Sequence, residues 1–435
     1  MPEYGLKYPG PDHLAFDHQD IKVYIDNLFL EGKLTPVEAT DIQVDAGSWV
    51  RSGIATSGVD DDQLRISRLF ALVEKAMPTD KARYSDWTAF ALKWAELSSL
   101  VHCGNSTEHQ TRLMKIGDAL NTTFAGWLTN HYSSLINLPP THPAMLHHVP
   151  RHIARNIEDQ GRGSRDERRA GGALIVIDGL ALDQWVTIRQ ILQKQDANLV
   201  MRESAAFAWI PTLTSISRQS IFSGKPPLYF PSSINSTNSE EKLWKLFWES
   251  NGLSRLDIAY QRGLGDGDAT SVLDATIHPG KTQVVGLVVD KVDKIMHGMQ
   301  LGSAGMHNQI RQWCQSGFLA SLITKLLDYG YDVWLTADHG NIQCEGKGRP
   351  TEGVIAETRG ERVRVYPTPE LRTQVAGAFL FAHEWQPVGL PAGYFPLVAG
   401  SRDAFVNSGE TIVGHGGIAI EEVIVPLVKF ERRTR

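Results

Sequence analysis

The sequence has 435 residues, 42% of them hydrophobic and 21% charged, which are the values of a folded chain long enough for two or three domains. Its 43 Lys and Arg stand against 49 Asp and Glu, a formal charge of −6, which excludes a polycation that coats nucleic acid; any such contact must be local. The 39 Gly and 21 Pro exclude a fibrous protein.

Cys103, Cys314 and Cys344 are too far apart for a zinc ribbon or redox pair, so neither a disulfide scaffold nor a thiolate metal site is expected, and the compartment reads as reducing. The first residues, Met1 to Gly5, lack a basic region followed by an apolar run. The apolar stretches near Ala173–Ile177 and Val284–Val289 are too short to span a bilayer. A cytoplasmic protein without membrane contact is expected.

Residues 1–150 read as a helical N-terminal domain. Ile66, Leu69, Phe70, Val73 and Met77 recur at steps of three and four. Trp87, Phe90, Ala91, Trp94, Leu97 and Val101 do the same, as do Leu113, Ile116, Leu120, Phe124 and Trp127. Pro78, Gly104 with Asn105, and Pro139 with Pro140 end the three helices, which suggests a small bundle. His142, His147, His148 and His152 cluster, but Pro143 and Pro150 interrupt them and no carboxylate is in register, so a metal site is not expected there. Residues 151–170 carry six arginines and four acids around Gly161 and Gly163, the composition of a solvated linker.

From residue 171 to 435 short apolar strands alternate with helical segments. The predicted strands are Ala173–Ile177, Ala206–Ile210, Gln283–Val289, Asp332–Thr336 and Val423–Phe430; Ile310, Cys314, Phe318 and Leu322 mark a helix between two of them. Continuous apolar strands with helices between them imply an α/β fold, a mostly parallel sheet covered on both faces.

Asp178 follows the first strand and precedes Gly179, which puts it at a carboxyl end where open α/β sheets bind ligands, although Asp-Gly also ends strands merely to turn. The run Pro211 to Arg218 follows the second strand. Thr214 there suits a helix N-terminus, where free N–H groups attract a phosphate, or is a plain cap. Arg218, one turn on, is placed to clamp a phosphate oxygen. After the third strand, Asp293 and His297 share a helix face and can bind one cation, while Asp290 reads as structural. Asp338, His339 and Gly340 end the fourth strand, and Gly340 allows close backbone approach. His415 lies among glycines, where a histidine has little packing to do, although it too could mark a turn. Jointly the three acids and three histidines make an oxygen and nitrogen set for two ions such as Zn²⁺ or Mn²⁺.

The order and spacing of these motifs resemble the alkaline phosphatase superfamily over Gly171–Phe430, and Pro211 to Gly224 resembles the PglZ branch of BREX and Pgl phage-defence systems. The resemblance implies an alkaline phosphatase-like core with one metal on Asp178, Thr214, Asp338 and His339, a second on Asp293, His297 and His415, and Thr214 as nucleophile. Superfamily phosphodiesterases keep a Thr ten residues before a Gly, as Thr214 stands before Gly224. Sulfatases differ, since Ile216 replaces their Pro and Thr214 cannot form their aldehyde. Ser217 and Arg218 replace the Asn and His of the phosphodiesterases, and an arginine there also suits monoesters. The expected function is a phosphohydrolase, phosphodiesterase or nuclease-like, in phage defence. Its expected partners are a phosphoester such as an oligonucleotide or nucleic acid and other BREX proteins such as the methyltransferase, with a homo-oligomer left open. The alternatives are a phosphomonoesterase or phosphomutase, or a non-catalytic metal-binding assembly subunit. The residues between Gly340 and His415, with Lys347, Arg349, Arg359, Arg362 and Arg364, read as a solvated face or as a substrate-covering lobe near the strand ends.

Overall fold

The computed structural model describes residues 37–38, 54–55, 59–163, 171–278, 280–351, 356 and 358–433. The chain divides into two compact units, residues 1–75 and 76–435. In the first, Val37–Glu38 pairs in parallel with Ile54–Ala55, and the helix Val59–Ala76 runs to the boundary. The expectations made for Met1 to Gly5 lie outside the described residues.

The second unit is built on a six-stranded sheet. Its strands are β1 (Gly171–Ile177), β2 (Leu199–Phe207), β3 (Ile258–Leu264), β4 (Val284–Val289), β5 (Tyr331–Ala337) and β6 (Ile424–Arg432), in the spatial order β2-β6-β5-β1-β4-β3. Strands β5, β1, β4 and β3 pair in parallel, and β6 runs antiparallel to both its neighbours. Every residue of β1 and β4 is buried, which is why both read as unbroken apolar runs rather than alternating ones. The core holds Leu174, Val176, Leu287 and Leu335 from the sheet with Trp185, Phe222 and Trp244 from the helices.

Helices α1 (Tyr84–Cys103) and α2 (Thr107–Leu135) appear where the spacing predicts them, but they belong to the same compact unit as the sheet, and no unit boundary falls at residue 150. Helix α1 lies against β2 and against the helix Leu182–Gln195. Ser99 and Thr187 share a hydroxyl hydrogen bond of 3.2 Å, and Arg189 forms a buried ion pair with Glu96. Asn121 of α2 accepts from the Ile420 N–H at 2.9 Å.

Other expectations shift. Residues 149–163 form helix α3 rather than a linker. Arg151, Arg155 and Glu158 face out while Ile153 and Ala154 enter the core, so an amphipathic face carried the charge that looked like linker composition. Residues 164–170 lie outside the described set. His147 and His148 each place Nε2 within 3.1 Å of the Ile136 carbonyl, a structural use at the end of α2. The helix through Ile310, Cys314, Phe318 and Leu322 is two helices, Gly302–Gln315 and Phe318–Asp328, broken at Gly317, whose φ of 83° is left-handed. The segment after residue 346 is not a solvated face throughout. Its strands Thr358–Arg359 and Val363–Tyr366 join a four-stranded antiparallel sheet. There Arg362 is fully buried and grips Glu422 at 2.8 and 2.9 Å.

Candidate active site

Strand register sets the site's floor. Ile177 of β1 is level with Val289 of β4 and Ala337 of β5, so Asp178, Asp290 and Asp338 leave the sheet side by side at its carboxyl edge. Gly179 takes a φ of 72° to turn away. Gly340 is required for space, since a Cβ there would sit 1.9 Å from the Glu421 carbonyl oxygen. The strand Thr411–Gly414 pairs antiparallel with Ile342–Gly346, Gly414 against Ile342, and so delivers His415 beside His339. Helix α4 (Thr214–Ser223) opens on Thr214, and helix α5 (Lys291–His297) carries Asp293 and His297 one turn apart.

Two groups of ligand-capable side chains result. Asp178, Asp338 and His339 form one, all buried; Asp293, His297 and His415 form the other, which opens to solvent. Within each, one donor atom per residue lies within 4.8 Å of the others. Thr214 Oγ1 lies 3.0 Å from His339 Nε2 and 3.4 Å from Asp178 Oδ1, which places the hydroxyl at the buried group. All seven side chains singled out from the sequence therefore fall at these two groups, Thr214 at the buried one.

The histidines are set to offer a lone pair. His339 Nδ1 is 3.0 Å from the Gly340 carbonyl and His415 Nδ1 is 2.8 Å from the Thr212 carbonyl. A carbonyl only accepts, so each Nδ1 carries a proton, and the neutral form of each ring offers its lone pair at Nε2. Asp338 Oδ1 accepts the N–H groups of Gly179 and His339 at 2.9 and 3.0 Å, while its Oδ2, fully buried, has no hydrogen-bond partner among the described residues. A buried acceptor left without a donor costs about 1–3 kcal/mol. A cation beside it removes that cost, so the donor set fits a divalent ion.

Electrostatics agree. Burial, with Asp178 adjacent, pushes the Asp338 carboxyl well above the usual range. Burial raises Asp178 as well, although the Arg218 guanidinium opposes it. Burial and the neighbouring His415 hold His339 well below the usual imidazole range. In the open group burial pushes Asp293 up, but its hydrogen bond to His297 and that ring's charge prevail and leave it low; His297 is raised by the same bond. The buried group is short of positive charge and the open one partly supplies its own.

Arg218 departs from the sequence expectation. It is 4% exposed, and its two terminal nitrogens donate to Asp178 Oδ2 at 2.8 Å and to Glu240 Oε2 at 2.6 Å, so the guanidinium is engaged with carboxylates rather than presented to a phosphate. Asp290 stands 3.8 Å from it, a structural placement. Sequence reasoning missed Glu240, which looks like any acid in a helix's first turn, and Asn341, whose amide donates to the Gly179 carbonyl at 2.7 Å and braces the Asp178 turn. Asn341 directly follows the Asp338–Gly340 motif, and that adjacency was the available signal.

The family model for the BREX system PglZ alkaline phosphatase-like domain matches residues 150–430. The chain belongs to the PglZ family. No curated protein matches it significantly. Solved structures similar to this PglZ protein include murine ectonucleotide pyrophosphatase/phosphodiesterase 5, an inactive threonine-to-alanine variant in complex with AMP, at 13% identity and TM-score 0.44 over 60% of this chain and 87% of that one. Human ectonucleotide pyrophosphatase/phosphodiesterase 5 gives 12% identity and TM-score 0.41 over 59% and 87%. Phosphonoacetate hydrolase from Sinorhizobium meliloti, in complex with phosphonoformate, gives 13% and 0.39 over 60% and 90%. No helix among the described residues is long and apolar enough to cross a membrane.

Proposed function

We propose that this PglZ protein is a metal-dependent phosphodiesterase acting on nucleic acid or oligonucleotides, with Thr214 as its nucleophile. The observation that carries the reading is the Thr214 hydroxyl 3.0 Å from His339 Nε2, which itself stands 3.6 Å from the Asp338 oxygen that has no hydrogen-bond partner among the described residues. Asp178, Asp338 and His339 with Thr214 would hold one divalent ion, and Asp293, His297 and His415 a second; these donors suit Zn²⁺ or Mn²⁺. Bound there, such ions lower the pKa of an adjoining hydroxyl and offset charge on a phosphoryl group.

Thr214 is fixed at the first turn of α4, where backbone N–H groups without intrahelical partners would receive a phosphate's oxygens. Its Oγ1 attacks phosphorus, the bond from phosphorus to the leaving alcohol breaks, and the chain carries a phosphothreonine. Water then attacks phosphorus and returns the threonine hydroxyl. The engagement of Arg218 by Asp178 and Glu240 favours a diester over a monoester, because the guanidinium that would meet the extra negative charge of a monoester is committed elsewhere. Membership of the BREX-associated family supports a role in phage defence, in the cytoplasm, beside partners such as the methyltransferase.

The test compares bis(4-nitrophenyl) phosphate with 4-nitrophenyl phosphate under Mn²⁺ and Zn²⁺. The expected result is faster diester cleavage, reduced roughly a hundredfold or more in Thr214→Ala and in Asp338→Ala. A faster monoester overturns the substrate class; unchanged rates in both variants overturn the mechanism, and a wild type that cleaves neither ester leaves an assembly subunit.

A further inference from the structure

Asp178 is held from behind by a chain of buried side chains drawn from distant parts of the sequence. Arg218 Nη1 donates to Asp178 Oδ2 at 2.8 Å, Arg218 Nη2 donates to Glu240 Oε2 at 2.6 Å, and the Tyr260 hydroxyl donates to the same Glu240 oxygen at 2.6 Å. Glu240 is 1% exposed. Tyr260 is fixed edge-on against Phe222, ring centroids 5.2 Å apart, and the helix Glu240–Ser250 is tied to the same strand by the Trp244 indole N–H, which donates to the Ala259 carbonyl at 3.0 Å.

The geometry gives the two oxygens of Asp178 different tasks. Oδ2 is taken by Arg218, which leaves Oδ1 as the oxygen 3.4 Å from Thr214 Oγ1. Which oxygen faces the site depends on the plane of the guanidinium, and Glu240 pins that plane at its other end. Glu240 also balances the arginine's charge, so that a full positive charge does not stand unopposed beside a group meant for a cation. Without the Glu240 charge, Arg218 keeps its own and has a single strong partner, Asp178, the oxygen source a metal needs.

We propose that Glu240, braced by Tyr260, is a positioning residue that acts through Arg218 to orient Asp178 and set the affinity of the buried Asp178, Asp338 and His339 group for its divalent ion. The proposal rests on the two-ion reading above. Outer partners of metal ligands change metal affinity by about 10- to 100-fold when removed.

The experiment titrates metal-stripped full-length protein with Mn²⁺ and with Zn²⁺ by calorimetry and counts bound ions by elemental analysis, for wild type, Glu240→Gln, Tyr260→Phe and His297→Ala. The His297 variant identifies which of the two binding events belongs to the open group. Glu240→Gln is expected to weaken the buried event about 10- to 100-fold and leave the open one within about twofold. Tyr260→Phe, which keeps the carboxylate and most of the packing, is expected to weaken the same event by a few-fold, and it keeps the test usable if the glutamine variant does not fold. Unchanged affinity of the buried event in Tyr260→Phe, and in Glu240→Gln where it folds, overturns the proposal even where melting temperatures fall, because a purely structural role predicts that pattern. Wild-type protein that binds no divalent ion overturns the two-ion reading itself, and this inference with it.

Discussion

The imidazoles of His339 and His415 lie face to face, centroids 3.9 Å apart and planes 8° from parallel, although one ring serves the buried group and the other the open group. Each is held by a backbone carbonyl at Nδ1, so the stack brings the two halves of the site together through rings fixed in place. Removing one ring should empty its own group and spare the other. His415→Ala is expected to lose one of two bound divalent ions, counted by native mass spectrometry, while His339→Ala loses the ion of the buried group.

The Arg218 network gives a stability prediction. Arg218→Met leaves Asp178 and Glu240 buried without their shared cation, a change that costs about 3–5 kcal/mol. Thr214→Ala removes one partly buried hydroxyl and should cost about 1 kcal/mol or less. Urea unfolding of the two variants beside wild type separates them. Equal stabilities would mean the guanidinium is not holding the two acids together.

Backbone approach at Gly340 is the most severe constraint near the site. Alanine there places its Cβ 1.9 Å from a backbone oxygen that cannot swing aside, so Gly340→Ala should destabilise by more than the roughly 1–3 kcal/mol of ordinary overpacking. The expected readout is loss of soluble protein, or a melting temperature well below that of Gly126→Ala in helix α2, where the added Cβ meets nothing.

Alkaline pH should act through a pair away from the site. His307 Nε2 lies 3.0 Å from Asp183 Oδ2, and the ring is 1% exposed. Burial alone would lower its pKa, but the hydrogen bonds and charges of Asp183 and, after it, Cys103 prevail and raise it from 6.5 to about 9. A folded-state pKa above the unfolded one contributes stability that is complete below about pH 6.5 and lost as pH rises through about 9. The contribution is at most roughly 3 kcal/mol. Unfolding free energies measured from pH 6 to 9.5 should fall for wild type and fall less for His307→Gln; parallel curves would refute the assignment.

The central strands were legible because β1, β4 and β5 are covered on both faces and so are written almost wholly in apolar residues. Edge strands were not. In β3 the residues Tyr260 to Gly263 are partly exposed and break the apolar run, and in β2 the stretch Arg202–Ser204 does the same, so the first was missed and the second was placed too late. The candidate site residues were legible because each sits at a strand end, on the helix that follows a strand, or in a glycine turn, features that local sequence records. The partners of Arg218 were not, because a guanidinium chooses its acid by three-dimensional proximity, and Glu240 offers no local mark that sets it apart from Glu241 beside it.

Strand β6 lies inside the sheet, between β2 and β5, and follows His415 in the chain. A ribosome must therefore finish residue 432 before the sheet can close around the groups on β1 and β5. Until then Asp178 and Asp338 stand at the ends of strands in an unclosed sheet, and the two groups of side chains stay unassembled.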